Sequence, residues 1–435
     1  MLGRIKNWTN RFLSYAGRVQ LIQSVLFSIQ AYWCAHFILP AKVFKKIESI
    51  LSAFLWRGVS LEKTGAKVAW EDLSVPKAEG GLGIKKIKDW NTALMSRYIW
   101  LLCTSPSSSI WAAWVKLNLL HKEHFWVAKI PWNCSWTWRK LLQIRDKVKH
   151  CISVKIGNGQ STSLWFDAWR PQGPICTSPC ARVISDSGLP PDAKVSVILS
   201  DGQWAWPPAN SVELIQLKEQ ARSLPLPNGS LMDRVMWNGS TIFSTKKVWN
   251  DIRSPSQQVP WAHLMWFRQH IPRHSFILWL AIRGRLTTQD RLVSHGLVGH
   301  NKCYLCLENE EDHSHLFYTC PFSYRVWTTI AAKCDLPISP HAWEALWPRL
   351  CSHIQGSSLL FVIRRLTLGA SIYYLWQERN SRKHGCPPRN EQGILTSILD
   401  TIRFKLDGSS FPHSRDNLHL THIWHLHVTL LRRHA

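Results

Sequence analysis

The sequence predicts a mainly α-helical chain with small β hairpins (α+β). Apolar residues recur at helical spacing through most of its length. Strand-like alternation is confined to short stretches beside Gly and Asn. The apolar run from Leu359 to Arg379 is too long for a strand and suits a buried helix.

In chain order, Ser14 reads as an N-cap, with Val19, Ile22, Leu26 and Ile29 following at helical spacing. A second helix is predicted after Pro40. Val43, Phe44, Ile47, Ile50, Leu51, Phe54 and Leu55 form its apolar stripe, and Gly58 marks its end. The uncharged stretch from Val19 to Ala41 contains Gln20, Gln23, Gln30 and His36 and is closed by Pro40. It is therefore read as a buried amphipathic helix and an extended segment rather than a membrane span. Gly80, Gly81 and Gly83 lack the spacing of a phosphate-binding loop and predict a tight bend. A helix resumes over Asn91 to Leu102. Alternation either side of Gly157-Asn158-Gly159 predicts a hairpin, and the Pro-, Ser- and Gly-rich stretch from Pro171 to Pro191 predicts a loop. MWNGSTIFSTKKVWNDI reads as a turn and short strand leading into a helix. Trp261 to Leu297 is helical with an interruption at Pro272, and the helix from Leu359 ends in WQERNSRKH. These elements divide the chain into segments 1–105, 106–230 (Trp-rich, with the hairpin), 231–385 and a tail, 386–435.

The chain of 435 residues, 45% hydrophobic, is long enough for two or three cores. Trp8, Thr9, Asn10 and Arg11 stand where a signal peptide needs an apolar run, and twelve cysteines without such a signal point to a reducing compartment. Residues 1–150 hold 23 Lys/Arg against 8 Asp/Glu, and the whole chain carries +25. Such a surplus repels itself unless a polyanion is near, which makes RNA or DNA the expected partner and gives no support to a membrane anchor. Lys42, Lys45 and Lys46 fall away from the apolar stripe of their helix, and Lys85, Lys86 and Lys88 follow the glycine bend. With Arg18 they are the candidate phosphate contacts. Trp132, Trp136 and Trp138 beside Arg139 and Lys140 suit either base stacking or, as the preferred reading, packing between helices.

The sharpest feature is Cys303-x2-Cys306-x8-His315-x4-Cys320. Three thiolates and one imidazole fill the tetrahedron of Zn²⁺ and leave no position for an activated water, so the expected role is structural. His313 is the rival for the third position. His315 is preferred because Leu316 and Phe317 then dock the site on a core. The intervening loop, with Glu308, Glu310, Glu311 and Asp312, is expected to be a solvated connector.

Together these blocks resemble the C-terminal region of plant LINE-type (non-LTR) retrotransposon reverse transcriptases. NWTNRFLSYAGRVQLIQSVLFSIQAYW and FILPAKVFKKIESILSAFLWRG resemble the thumb, and AWEDLSVPKAEGGLGIKKIKDWNTAL resembles the family's PK-x-EGGLG-I block. IGNGQSTSLWFDAW is similar to its Trp-rich hairpin. WFRQHIPRHSFILWLAIRGRLTTQDRL, CYLCLENEEDHSHLFYTCPFSYRVW and YLWQERNSRKH are similar to its reverse-transcriptase zinc-binding domain. The resemblance implies an N-terminal helical thumb-like region over 1–105, a helical zinc-binding domain over 231–385, and zinc on Cys303, Cys306, His315 and Cys320. It also implies an intracellular protein for which the nucleus is a compatible compartment. The family's catalytic carboxylate pair has no counterpart, since Asp-Asp occurs nowhere in the chain. No catalysis is therefore expected from this chain alone. The roles implied are non-specific nucleic-acid binding or, alternatively, a zinc-stabilised protein-interaction module or an accessory part of an active, full-length reverse transcriptase. Gln30 stands where the family usually has Pro.

Overall fold

Local chemistry sets the helix boundaries. The Ser14 hydroxyl accepts a hydrogen bond from the Gly17 backbone N–H and caps the helix Tyr15–Leu21. That helix runs through one π-helical turn, Ile22–Leu26, into Phe27–His36. The helix after Pro40 spans Ala41–Arg57 and stops at Gly58, whose φ of 70° is left-handed. Of its predicted stripe, Phe44, Leu51, Phe54 and Leu55 are buried, Ile47 and Ile50 are half-buried, and Val43 lies on the exposed side. Pro272 opens the helix Pro272–Ile282 instead of interrupting one, because its missing N–H costs nothing in the first turn.

The structure, a computed structural model, describes residues 2–6, 13–61, 65–104, 109–121, 123–176, 181–200, 203–208, 211–336 and 343–432. Positions 8–11, read above against a signal peptide, lie outside them. The chain forms two compact units, each assembled from separated segments. One contains Met1–Phe27, Lys46–Lys85 and Ser256–Ala435; the other contains Ser28–Lys45 and Lys86–Pro255. Residues 1–105 thus contribute to both.

The first unit is organised around the helix Leu359–Lys383, which packs against Pro272–Ile282 and Glu391–Leu406. Among the described residues it is the one helix long and apolar enough to cross a membrane. It is 72% buried over its most apolar window, as a core helix is. The glycine bend belongs to this unit. A Cβ on Gly81 would lie 2.3 Å from the Val75 carbonyl oxygen, so only glycine fits. The Gly80 carbonyl accepts from Trp279 Nε1 at 2.8 Å and Arg283 Nη1 at 3.0 Å. The EGGLG turn is thereby tied to the helix Pro272–Ile282, and its N–H groups from Glu79 to Gly83 all donate to carbonyls of residues 73–77 rather than facing a phosphate.

In the second unit the helix Ile87–Cys103 packs against Trp136–Val148 and Thr245–Ile252. The hairpin predicted at Gly157-Asn158-Gly159 does not form. Strand Ile152–Lys155 pairs antiparallel with the distant strand Arg234–Trp237, and the glycine loop instead wraps one carboxylate. Asp233 Oδ1 accepts from the backbone N–H groups of Gly157 and Gly159, both at 2.8 Å. Its Oδ2 accepts from the N–H and hydroxyl of both Ser161 and Thr162. Burial pushes the Asp233 carboxyl up, but these donors outweigh it and hold it below the ordinary value. A small hairpin does occur, between Leu199–Ser200 and Gln203–Trp204. The strand Arg234–Trp237 precedes its turn and the helix Thr245–Ile252. Cys176 is disulfide-bonded.

Candidate metal centre

The first two sulfurs come from a knuckle. Its backbone closes through Cys303 N–H to the Asn309 carbonyl and Leu307 N–H to the Cys303 carbonyl, both at 2.8 Å. Leu307 takes a φ of 64° to make the turn, and the Leu305 N–H points at Cys303 Sγ, 3.4 Å away. The other two ligand atoms flank the π-helical turn His315–Thr319, which begins beneath an Asp312 cap on the His315 N–H. This turn buries Leu316 and Phe317 completely and ends at Cys320, immediately before the helix Pro321–Ala332.

The structure brings Cys303, Cys306, His315 and Cys320 together, with their ligand atoms all within 4.8 Å of one another. His315 Nε2 lies 3.3 Å from Cys306 Sγ, and its Nδ1 faces the Thr319 hydroxyl, so Nε2 is the nitrogen turned to the sulfurs. His313 is elsewhere, against the rings of Phe317 and Trp343. The donor set suits a soft tetrahedral dication, for which metal–sulfur bonds of about 2.3 Å imply sulfur–sulfur separations of about 3.8 Å. Within the cluster, hydrogen bonding to Cys320 raises His315 to about 9 against the effect of burial. The hydrogen bond from Cys303 lowers Cys320 to about 4, and the same bond pushes Cys303 up. The sulfurs and the ring thus compete for shared protons. A bound dication replaces those protons and satisfies every donor atom at once.

The loop between the two ligand pairs departs from expectation. Glu311 is fully buried rather than solvated. Its carboxylate accepts from Arg379 Nη2 at 2.6 Å, Arg379 Nε at 3.0 Å and the Gln289 N–H at 2.8 Å. Arg379 lies in the core helix, and its neighbours continue the brace. Arg382 donates to the Leu305 carbonyl inside the knuckle at 2.8 Å, and buried Glu378 pairs with Arg382 and Arg389. The QERNSRK end of the core helix therefore holds both the knuckle and the ligand loop. Sequence reading missed this role. The available signal was the cluster of four charges, Glu378, Arg379, Arg382 and Lys383, closing a helix that opens as a long apolar run.

The candidate phosphate contacts differ in exposure. Lys42, Lys45, Lys46 and Lys88 are exposed, and Lys85 and Lys86 are half-buried, with the Lys85 ammonium 5.8 Å from the centre of the Phe27 ring. Arg18 is committed internally. Its guanidinium donates to the Leu55 carbonyl at 3.1 Å and lies over the Tyr15 ring.

Comparison with known proteins places this geometry. The chain is 25% identical over 389 residues to an Arabidopsis thaliana protein named as a "putative ribonuclease H protein", covering 83% of this chain and 60% of that relative. The chain thus spans less than two thirds of that relative's length. It is also 24% identical over 148 residues to an "uncharacterized mitochondrial protein" of the same plant, covering 33% of this chain and 92% of the relative. Residues 243–327, which include all four clustered ligands, match the family described as zinc-binding in reverse transcriptase. The C-terminal region of this chain therefore carries a reverse-transcriptase zinc-binding domain, as the resemblance of its sequence blocks implied.

Proposed function

We propose that this chain is the C-terminal region of a plant LINE-type reverse transcriptase, and that it binds RNA or DNA without sequence preference and without catalysis of its own. Cys303, Cys306, His315 and Cys320 hold one structural Zn²⁺, and exposed lysines neutralise phosphates. The observation that carries the reading is the meeting of these four ligand atoms within 4.8 Å, inside the stretch that matches the reverse-transcriptase zinc-binding family. With four protein ligands the zinc supplies folding free energy rather than chemistry. Its binding fixes the knuckle and the π-helical turn, which Glu311, Arg379 and Arg382 tie to the core helix.

Lys42, Lys45 and Lys46 on the exposed side of the helix Ala41–Arg57 support phosphate contact, as does the net charge of +25. Two-metal phosphoryl transfer needs clustered carboxylates. Among the described residues the Cys3His set is the one group placed to hold an ion. The ribonuclease H in the relative's name is assigned to that protein; the activity proposed here is binding, not cleavage. The test is fluorescence anisotropy of the zinc-loaded full chain with a labelled RNA–DNA duplex between 50 and 200 mM salt. Affinity is expected to fall steeply through counterion release, and Lys42→Gln/Lys45→Gln/Lys46→Gln to flatten the slope by about three phosphate contacts. Salt-independent binding would overturn phosphate recognition, and primer extension with Mg²⁺ or Mn²⁺ above a metal-free control would overturn the absence of catalysis.

A further inference from the structure

An exposed aromatic surface in the second unit has no role in the reading above. Trp33 and Phe37 stand at the end of the helix Phe27–His36, about half exposed, with ring centres 6.2 Å apart and planes 28° from parallel. Trp132 is 90% exposed and Trp136 51%, whereas Trp138 in the same sequence cluster is buried. The preferred sequence reading, packing between helices, thus holds for Trp138 alone. Trp136 adjoins the first pair, because its Nε1 donates to the carbonyl of Ile38, the residue after Phe37, at 2.9 Å.

The surface is fixed rather than loose. Buried Asn91 clamps the helix end beneath it, donating to the Cys34 carbonyl at 2.6 Å and the Phe37 carbonyl at 2.8 Å while accepting from the Leu39 N–H. Cations are interleaved. The Lys140 ammonium sits 4.7 Å from the centre of the Trp136 ring, and Arg139 donates to the Trp132 carbonyl at 2.7 Å. Both contributing segments are free of acids: none occurs before Glu48, and none between Glu123 and Asp146. Indole and phenyl faces left in water at a rigid, cationic surface built from acid-free segments match a strand with unpaired bases, whose π-faces stack while its phosphates meet the ammonium and guanidinium groups. A duplex keeps its base faces covered and offers the rings nothing.

We propose that Trp33, Phe37, Trp132 and Trp136, flanked by Arg139 and Lys140, form a stacking platform for single-stranded nucleic acid. This rests on the proposed nucleic-acid binding and narrows it to unpaired bases at a named surface. The test uses the zinc-loaded full chain and three labelled probes: a 20-nucleotide pyrimidine strand, an abasic strand of equal length, and a 20-base-pair duplex. The base-bearing strand is expected to bind at least about fivefold more tightly than the abasic one, with quenching of tryptophan fluorescence. Trp33→Ala and Trp132→Ala should each remove most of that preference while leaving abasic and duplex binding unchanged. Zinc content and near-ultraviolet circular dichroism confirm that each variant is folded. Equal affinity for base-bearing and abasic strands would overturn the platform and leave phosphate binding standing, as would loss on all three probes in a folded variant. Failure of every probe to bind would overturn both readings.

Discussion

Replacing Arg379 with methionine removes the partner of a carboxylate that has no access to water. Glu311 and Arg379 are 0% and 1% exposed, and three of the contacts to the carboxylate, at 2.6, 3.0 and 3.1 Å, come from this one guanidinium. In Arg379→Met the carboxylate keeps the Gln289 N–H but carries an uncompensated charge. Breaking a buried pair from one side costs about 3–5 kcal/mol, a large part of a total stability of about 5–15 kcal/mol. Neutralising both sides with Glu311→Gln/Arg379→Met retains an acceptor for Gln289 and removes the buried charge, so the double variant should recover about 2 kcal/mol or more of that loss. Because Glu311 lies between the two ligand pairs, the assay is urea unfolding of the zinc-loaded chain followed by release of the ion to a chromogenic chelator. Arg379→Met should release the ion at a clearly lower urea midpoint than wild type, with the double variant in between. A cost below about 1 kcal/mol for Arg379→Met, or a double variant as weak as the sum of the singles, would refute the idea that a buried charge pair holds the ligand loop.

Further expectations concern groups the fold buries. Asp233→Asn sets an amide N–H against donors that now all point at a carboxylate, and should cost about 2–3 kcal/mol in denaturant unfolding. Because the folded Asp233 pKa is depressed, its contribution is complete above the ordinary carboxylate value of about 4 and is lost as pH falls through the folded one; the Asn variant should lack that loss. Burial, helped by neighbouring Arg273, lowers His274 to about 3 where it stacks on Tyr373. Its neutral ring stabilises the fold fully above about pH 6.5, and that contribution falls by about 1.4 kcal/mol per unit as pH drops towards the folded value. His274→Phe should flatten the stability profile between pH 6 and 4.5, and an unchanged slope would contradict this. Gln30 is buried with neither amide atom hydrogen-bonded, so Gln30→Leu should raise the unfolding free energy by about 1 kcal/mol; a loss of stability would show that the amide is satisfied.

Features encoded over a few residues were legible in the sequence. Ser14 and Gly58 bound their helices because capping is local chemistry, and the ligand spacing from Cys303 to Cys320 anticipated the cluster because a knuckle and one turn carry all four donors. Features that depend on distant partners were not. The strand Ile152–Lys155 finds its partner about 80 residues on, and the Gly157–Gly159 loop serves Asp233, so the local hairpin signal misled. Glu311 sits in a run of acids that reads as solvated, and only its arginine in a distant helix shows why it is buried. Trp136 and Trp138 lie about 200° apart around one helix, one half-exposed and the other buried, while Trp132 precedes that helix, and only the tertiary fold decides which side is covered.

The proposed fold includes a cation held by three sulfurs and one imidazole. Metal analysis of the purified full chain, with Cys306→Ser in parallel, tests it most directly. The wild type is expected to hold one equivalent of zinc. Cys306→Ser should lose that zinc together with helical signal from the unit that contains residues 256–435. A wild-type protein that is cooperatively folded and free of metal, with Cys306→Ser equally stable, would contradict it.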